Sequence, residues 1–98
     1  MLLLARESME REAVQQRALG QSVALLALGT LPAGFAGEAL PDSAEGYAHG
    51  LYAALRALDA SGAHLLLVQR PPEERAWLAV NDRLRRAAAG AAPAFDSP

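Results

Sequence analysis

The chain has 98 residues, 52% of them hydrophobic and 20% charged, with a formal net charge of −2. That length builds one domain around one core, because a chain of this size hides a little over roughly 60% of its unfolded surface, and the composition is globular rather than disordered. Having no cysteine excludes disulfides and thiolate metal sites and suits a reducing cytoplasm, while the charge balance gives no basic face with which to hold nucleic acid directly.

Leu2 to Ala5 is a short apolar run that reads as a buried strand. It is too short for a signal h-region, and Arg6 and Glu7 follow at once. No apolar run approaches the roughly 18 residues of a membrane span, so no membrane association is expected. Ser8 can cap a helix from Met9 to about Leu19, with Gly20 ending it and Ala13, Val14, Ala18 and Leu19 as its buried stripe. Ser22 to Leu28 is a continuous apolar segment flanked by glycines, the pattern of a strand covered on both faces. Gly29 to Gly34 reads as a loop around Pro32, and Phe35 to Leu40, with two glycines, as a short or edge strand.

Pro41-Asp42-Ser43 opens the best helix in the chain. Asp42 and Glu45 have capping-box spacing, and Ala44, Tyr47, Ala48, Leu51, Leu55 and Leu58 fall on one face. Gly62 is placed to end it in a left-handed turn. His64 to Gln69 is the clearest strand, stopped by Pro71-Pro72. Pro72 suits a first helical turn, and Glu73 and Glu74 suit the positive end of a helix dipole. Trp77, Val80, Leu84 and Ala87 or Ala88 mark the buried face of that last helix, Gly90 ends it, and residues 91–98 read as a loose tail in which Phe95 could dock.

The order β-α-β-β-α-β-α predicts an α/β domain over residues 1–90: a small Rossmann-like, three-layer arrangement with a mostly parallel sheet and helices on both faces. It requires the segments around Leu25 and Leu67 to lie side by side as covered strands.

Residues 47 to 88 carry the most specific signal. They contain Tyr47-Ala48, Leu51-Tyr52, Leu55-Arg56, Leu58-Asp59, Gly62, the apolar strand Leu65 to Val68, Pro71-Pro72, Ala79-Val80, Asp82-Arg83-Leu84 and Ala87-Ala88. In this order and spacing they resemble the C-terminal domain of two-domain threonylcarbamoyl-AMP synthases. Over residues 1 to 46 only the strand-helix-strand order agrees. The chain departs from the family where Arg75, Ala76 and Trp77 replace a glycine-containing loop. In that family a YrdC-type catalytic domain binds ATP, threonine and bicarbonate and makes threonylcarbamoyl-AMP for tRNA modification. Neither that domain nor its His-Tyr-x-Pro tether is found in these residues, so the resemblance carries over no catalytic residue. It implies an accessory module whose partner is a YrdC-type catalytic domain, acting by contact.

Chemistry read directly from the residues points the same way. Gly34-Phe35-Ala36-Gly37 lacks the spacing of a phosphate-cradling loop. His49 and His64 fall on different elements without patterned carboxylates, which argues against zinc. No serine stands in a Gly-x-Ser-x-Gly elbow. No catalytic residue, metal or cofactor is therefore assigned. The residues expected to touch a partner or ligand are Tyr47, Arg56, Asn81, Asp82 and Arg83. Each has a plainer reading: Tyr47 falls on the apolar face of its helix, Arg56 can pair with Asp59 on its own helix, and Asn81 to Arg83 can hydrogen-bond to a neighbouring loop. Two other functions remain open. One is a small-ligand or nucleotide-binding module using the strand-end loops Arg6–Ser8, Gly29–Leu31 and Gln69–Pro71. The other is a self-association domain with Tyr52, Trp77 or Phe95 at its interface.

Overall fold

Alternation of side chains along four short strands builds the domain. The computed structural model describes residues 1–91. In chain order these form β1 (Leu2–Leu4), α1 (Arg6–Ala18), β2 (Val23–Leu28), β3 (Ala36–Leu40), α2 (Ala44–Ala60), β4 (Leu65–Gln69), a single 3-10 turn (Arg75–Trp77) and α3 (Leu78–Ala91). The strands make one sheet in the order β1-β4-β2-β3, and every neighbouring pair is parallel. The sheet is thus wholly rather than mostly parallel. Leu25 pairs with Leu67 at its centre, and neither is exposed to solvent.

Each strand sends alternate residues to opposite faces. Ala24, Leu26, Leu40 and Val68 join Tyr47, Leu51, Ala54 and Leu58 of α2, Trp77, and Val80 and Leu84 of α3 in the larger core cluster. Leu25, Ala27 and Leu67 join Met9 and Ala13 of α1 in the smaller one. The result is three layers, with α2 and α3 on one face and α1 on the other. The strands read as continuous apolar runs because both faces are covered.

Several helix boundaries differ from expectation. α1 begins at Arg6 with Ala5 at the cap position and no side-chain cap, so Ser8 lies inside the first turn. Its buried stripe is Met9 and Ala13, whereas Val14 and Leu19 are 57% and 68% exposed. Gly20 does end α1: at φ 89° its N–H bonds to the Arg17 carbonyl and that of Gln21 to Gln16, a Schellman closure. In α2 the cap is Ser43, whose Oγ accepts from the Gly46 N–H, rather than Asp42. That places Gly46, with no carboxylate, where a capping box needs Glu or Gln.

The Pro-Pro segment does not open a helix. Residues 70–73 are irregular, Glu74 is extended, and helix starts only at Arg75. The Asn81 side-chain amide reaches back to the Pro72 carbonyl at 2.9 Å, an anchor that holds the segment away from helical geometry. α3 continues through Gly90 to Ala91. The rest of the tail expected over 91–98, Phe95 included, lies outside the described residues.

The β2–β3 connection is unusual. Parallel neighbours ordinarily need a crossover of a dozen or more residues, but here residues 29–35 suffice. The register, Ala24 with Ala36 through Leu28 with Leu40, means that the chain must step back only about four strand positions. At roughly 3.3–3.6 Å per residue an extended strap spans that easily. The strap lies on the α1 face, where Leu31 and Phe35 pack against the smaller cluster. α1 holds it at two points. Arg6 Nη1 donates to the Thr30 carbonyl at 2.8 Å, and Arg17 donates to the Gly34 carbonyl at 2.6 Å while its guanidinium sits 4.1 Å from the Phe35 ring centroid. The edge strand β3 pairs closely with β2 through Gly37, where a Cβ would collide with the Leu25 backbone.

Candidate functional site

The five residues expected to make contacts do not converge. Tyr47 is in the larger core, fully buried, with its ring edge-on to Trp77 at 5.4 Å. It is not a surface residue, because α2 turns its Tyr47 face onto the sheet. Its hydroxyl is also buried and has no hydrogen-bond partner, and burial pushes its pKa up to about 12. Asn81 is half-buried and engaged with Pro72. Asp82 is exposed and faces two arginines of its own helix, paired with Arg86 and 3.9 Å from Arg85. Arg83 is exposed and makes no ion pair among the described residues. Arg56 is exposed on α2 and pairs with Tyr52 rather than Asp59: its Nη1 is 3.4 Å from the Tyr52 hydroxyl and its guanidinium 5.5 Å from that ring.

Two surface features organise the remaining candidates. One is a groove of about 330 Å³ between α2 and α3, over the amino ends of β1 and β4, with Met1, Leu55, Leu66 and Ala87 as its apolar lining and Tyr52, Arg56 and Asp59 as its polar one. Tyr52 is 72% exposed beside it. Of the expected self-association residues, Tyr52 is therefore at the surface and Trp77 is buried.

The other feature is the carboxyl end of the sheet, where the three strand-end loops do meet. Arg6 Nη1 donates to the Gln69 side-chain oxygen at 3.1 Å as well as to Thr30, while Gln69 also accepts from the Leu28 N–H at 2.9 Å. Arg6 Nε is paired with Glu10 at 2.9 Å. The arginine thus fills the α1 side of the crevice and ties β1, β2 and β4 together. On the opposite face the end of the sheet stays open: Leu3, Arg70, Glu73, Asn81 and Arg85 line a recess of about 250 Å³. Glu73 and Arg85 were outside the sequence-based set. Strand parity places Arg70 on the β4 face of Leu66 and Val68, but no local pattern points to Glu73, and Arg85, one helical turn beyond Asn81, gains its meaning only from where α3 packs.

Ser22 and His64 also come together. The Ser22 N–H and hydroxyl both approach His64 Nδ1, at 3.3 and 3.1 Å, and the His64 N–H donates to Ser22 Oγ at 2.9 Å. The pair joins the amino ends of β2 and β4. Because Nδ1 already accepts from a backbone N–H, the arrangement is a register lock and not a base-activated nucleophile. Among the described residues no three His, Cys, Asp or Glu side chains gather as metal ligands. No helix there is long and apolar enough to cross a membrane.

A search of curated proteins returns no match, and a search of solved structures returns none either. The family described as threonylcarbamoyl-AMP synthase, C-terminal domain, matches residues 1–89. The chain belongs to this family, and the kinship extends through the first 46 residues, where the sequence pattern alone was unspecific.

Proposed function

We propose that this member of the threonylcarbamoyl-AMP synthase C-terminal domain family is a non-catalytic accessory module that works in the cytoplasm by contact with a YrdC-type catalytic domain, in the service of tRNA threonylcarbamoyladenosine modification. The observation that carries the reading is the family match over residues 1–89. The α2–α3 groove supports it. It is open and apolar at the base, and it is rimmed by Tyr52 and Arg56, residue types that dominate binding energy at protein interfaces.

The test is formation of threonylcarbamoyl-AMP from ATP, threonine and bicarbonate. The purified chain alone gives no product. Added to a separately produced YrdC-type catalytic domain, it forms a complex visible by gel filtration and changes that domain's turnover. Turnover by the chain alone, or a catalytic domain that neither binds it nor responds to it, overturns the reading.

A further inference from the structure

The recess at the carboxyl ends of β1 and β4 has a chemistry that contact with a catalytic domain does not use. β1 and β4 are neighbours in the sheet. The connection after β1 leaves to the α1 face and the one after β4 to the α3 face. In open parallel sheets such a divergence opens the crevice in which ligands bind. Here the α1 side is filled by Arg6, and the α3 side is the recess of about 250 Å³.

Its lining is a compact set of complementary groups. Arg70 follows β4 directly and spends one contact, 3.3 Å, on the Leu3 carbonyl. Arg85 is 3.9 Å from Asp82, too long for a hydrogen bond, and retains its donors. Glu73 makes no ion pair among the described residues. Asn81 uses its amide N–H₂ on Pro72, which leaves its Oδ1 as an acceptor. Leu3 supplies an apolar wall. Two guanidinium forks fit a carboxylate, while a carboxylate and an amide oxygen beside them fit an ammonium group. The volume, below the roughly 300–1,000 Å³ of drug-sized sites, matches a single small metabolite better than a whole nucleotide.

We propose that this recess binds an amino-acid-sized zwitterion, its carboxylate on Arg70 and Arg85 and its ammonium on Glu73 and the Asn81 oxygen. The site is separate from the α2–α3 groove and shares no lining residue with it, so it stands or falls independently of the docking role.

The experiment is an amide NMR titration of the full 98-residue chain with L-serine and L-glutamate, and with acetate, ethylamine, inorganic phosphate and AMP as comparisons. At least one amino acid shifts residues 69–73 and 81–85 saturably. Acetate and ethylamine each bind at least about tenfold more weakly, and Arg70→Gln and Glu73→Gln each lower amino-acid affinity by about tenfold or more while leaving the remaining spectrum in place. No saturable shift with either amino acid up to about 10 mM overturns the proposal. So do phosphate or AMP binding as tightly as the amino acid, an affinity unchanged by Glu73→Gln, or shifts centred elsewhere.

Discussion

Tyr47, one of the five residues expected to make contacts, has no exposed surface. The phenol is in the core against Trp77, and its neutral hydroxyl, buried and unpartnered, opposes folding through the hydrogen bonds to water it gives up; the same burial disfavours the phenolate and pushes the pKa up to about 12. Tyr47→Phe keeps the ring and removes the orphan group, so unfolding free energy at neutral pH should rise by about 1 kcal/mol in urea titration. A loss of that size would mean that the hydroxyl has a partner. The variant also has a pH signature. Because the folded-state pKa is raised, the native protein holds the phenolic proton while the unfolded chain releases it near pH 10. The contribution is therefore fully present below pH 10 and is lost as pH climbs to about 12, at up to about 1.4 kcal/mol per pH unit. Tyr47→Phe should flatten that alkaline decline relative to the parent chain.

At the scale of elements the strap over residues 29–35 is the most distinctive part of the fold. It replaces a crossover helix and is held by two arginines of α1. Arg17→Ala removes the bond to the exposed Gly34 and the stacking on the half-buried Phe35, and should cost about 1 kcal/mol of global stability. Its clearer effect is local: hydrogen exchange at 29–35 should accelerate while β2 and β4 stay protected. Uniform acceleration across the sheet would show that the strap is not a separately opening unit. None of this was visible in the sequence. Arg17 is separated in the chain from Leu31 and Phe35 by the whole of β2, and a loop around Pro32 carries no sign of which sheet face it covers. The strands were legible because residues such as Leu25 and Leu67 sit in apolar runs whose length admits little else, and the α2 face was legible from Tyr47, Leu51 and Leu58. Caps were less so, since Ser8, Asp42 and Pro72 each suit a helix start locally. Tertiary anchors, such as Asn81 on Pro72, decided which start was used. The carboxyl-end recess was half legible. Its loop, Gln69–Pro71, was identifiable from the strand, but Glu73 and Arg85 join it only through the way α3 packs back on β1 and β4.

The molecule as a whole divides its two larger helices' face into an apolar groove at the amino ends of the strands and a charged recess at their carboxyl ends. The groove is too small to be an interface alone, since stable interfaces bury roughly 800 Å² per partner, but an apolar centre flanked by Tyr52 and Arg56 suits the middle of one. Tyr52 and Arg56 touch each other and carry little of the core, so Tyr52→Ala and Arg56→Glu should each change unfolding free energy by less than about 0.5 kcal/mol. Against a YrdC-type catalytic domain each should weaken binding by about tenfold or more in calorimetric titration. The same two variants separate the rival use of this surface. If the parent chain is a dimer by light scattering and Tyr52→Ala returns it to monomer without touching affinity for the catalytic domain, the groove joins copies of the chain to one another. If affinity for the catalytic domain falls while the oligomeric state is unchanged, the groove faces the enzyme.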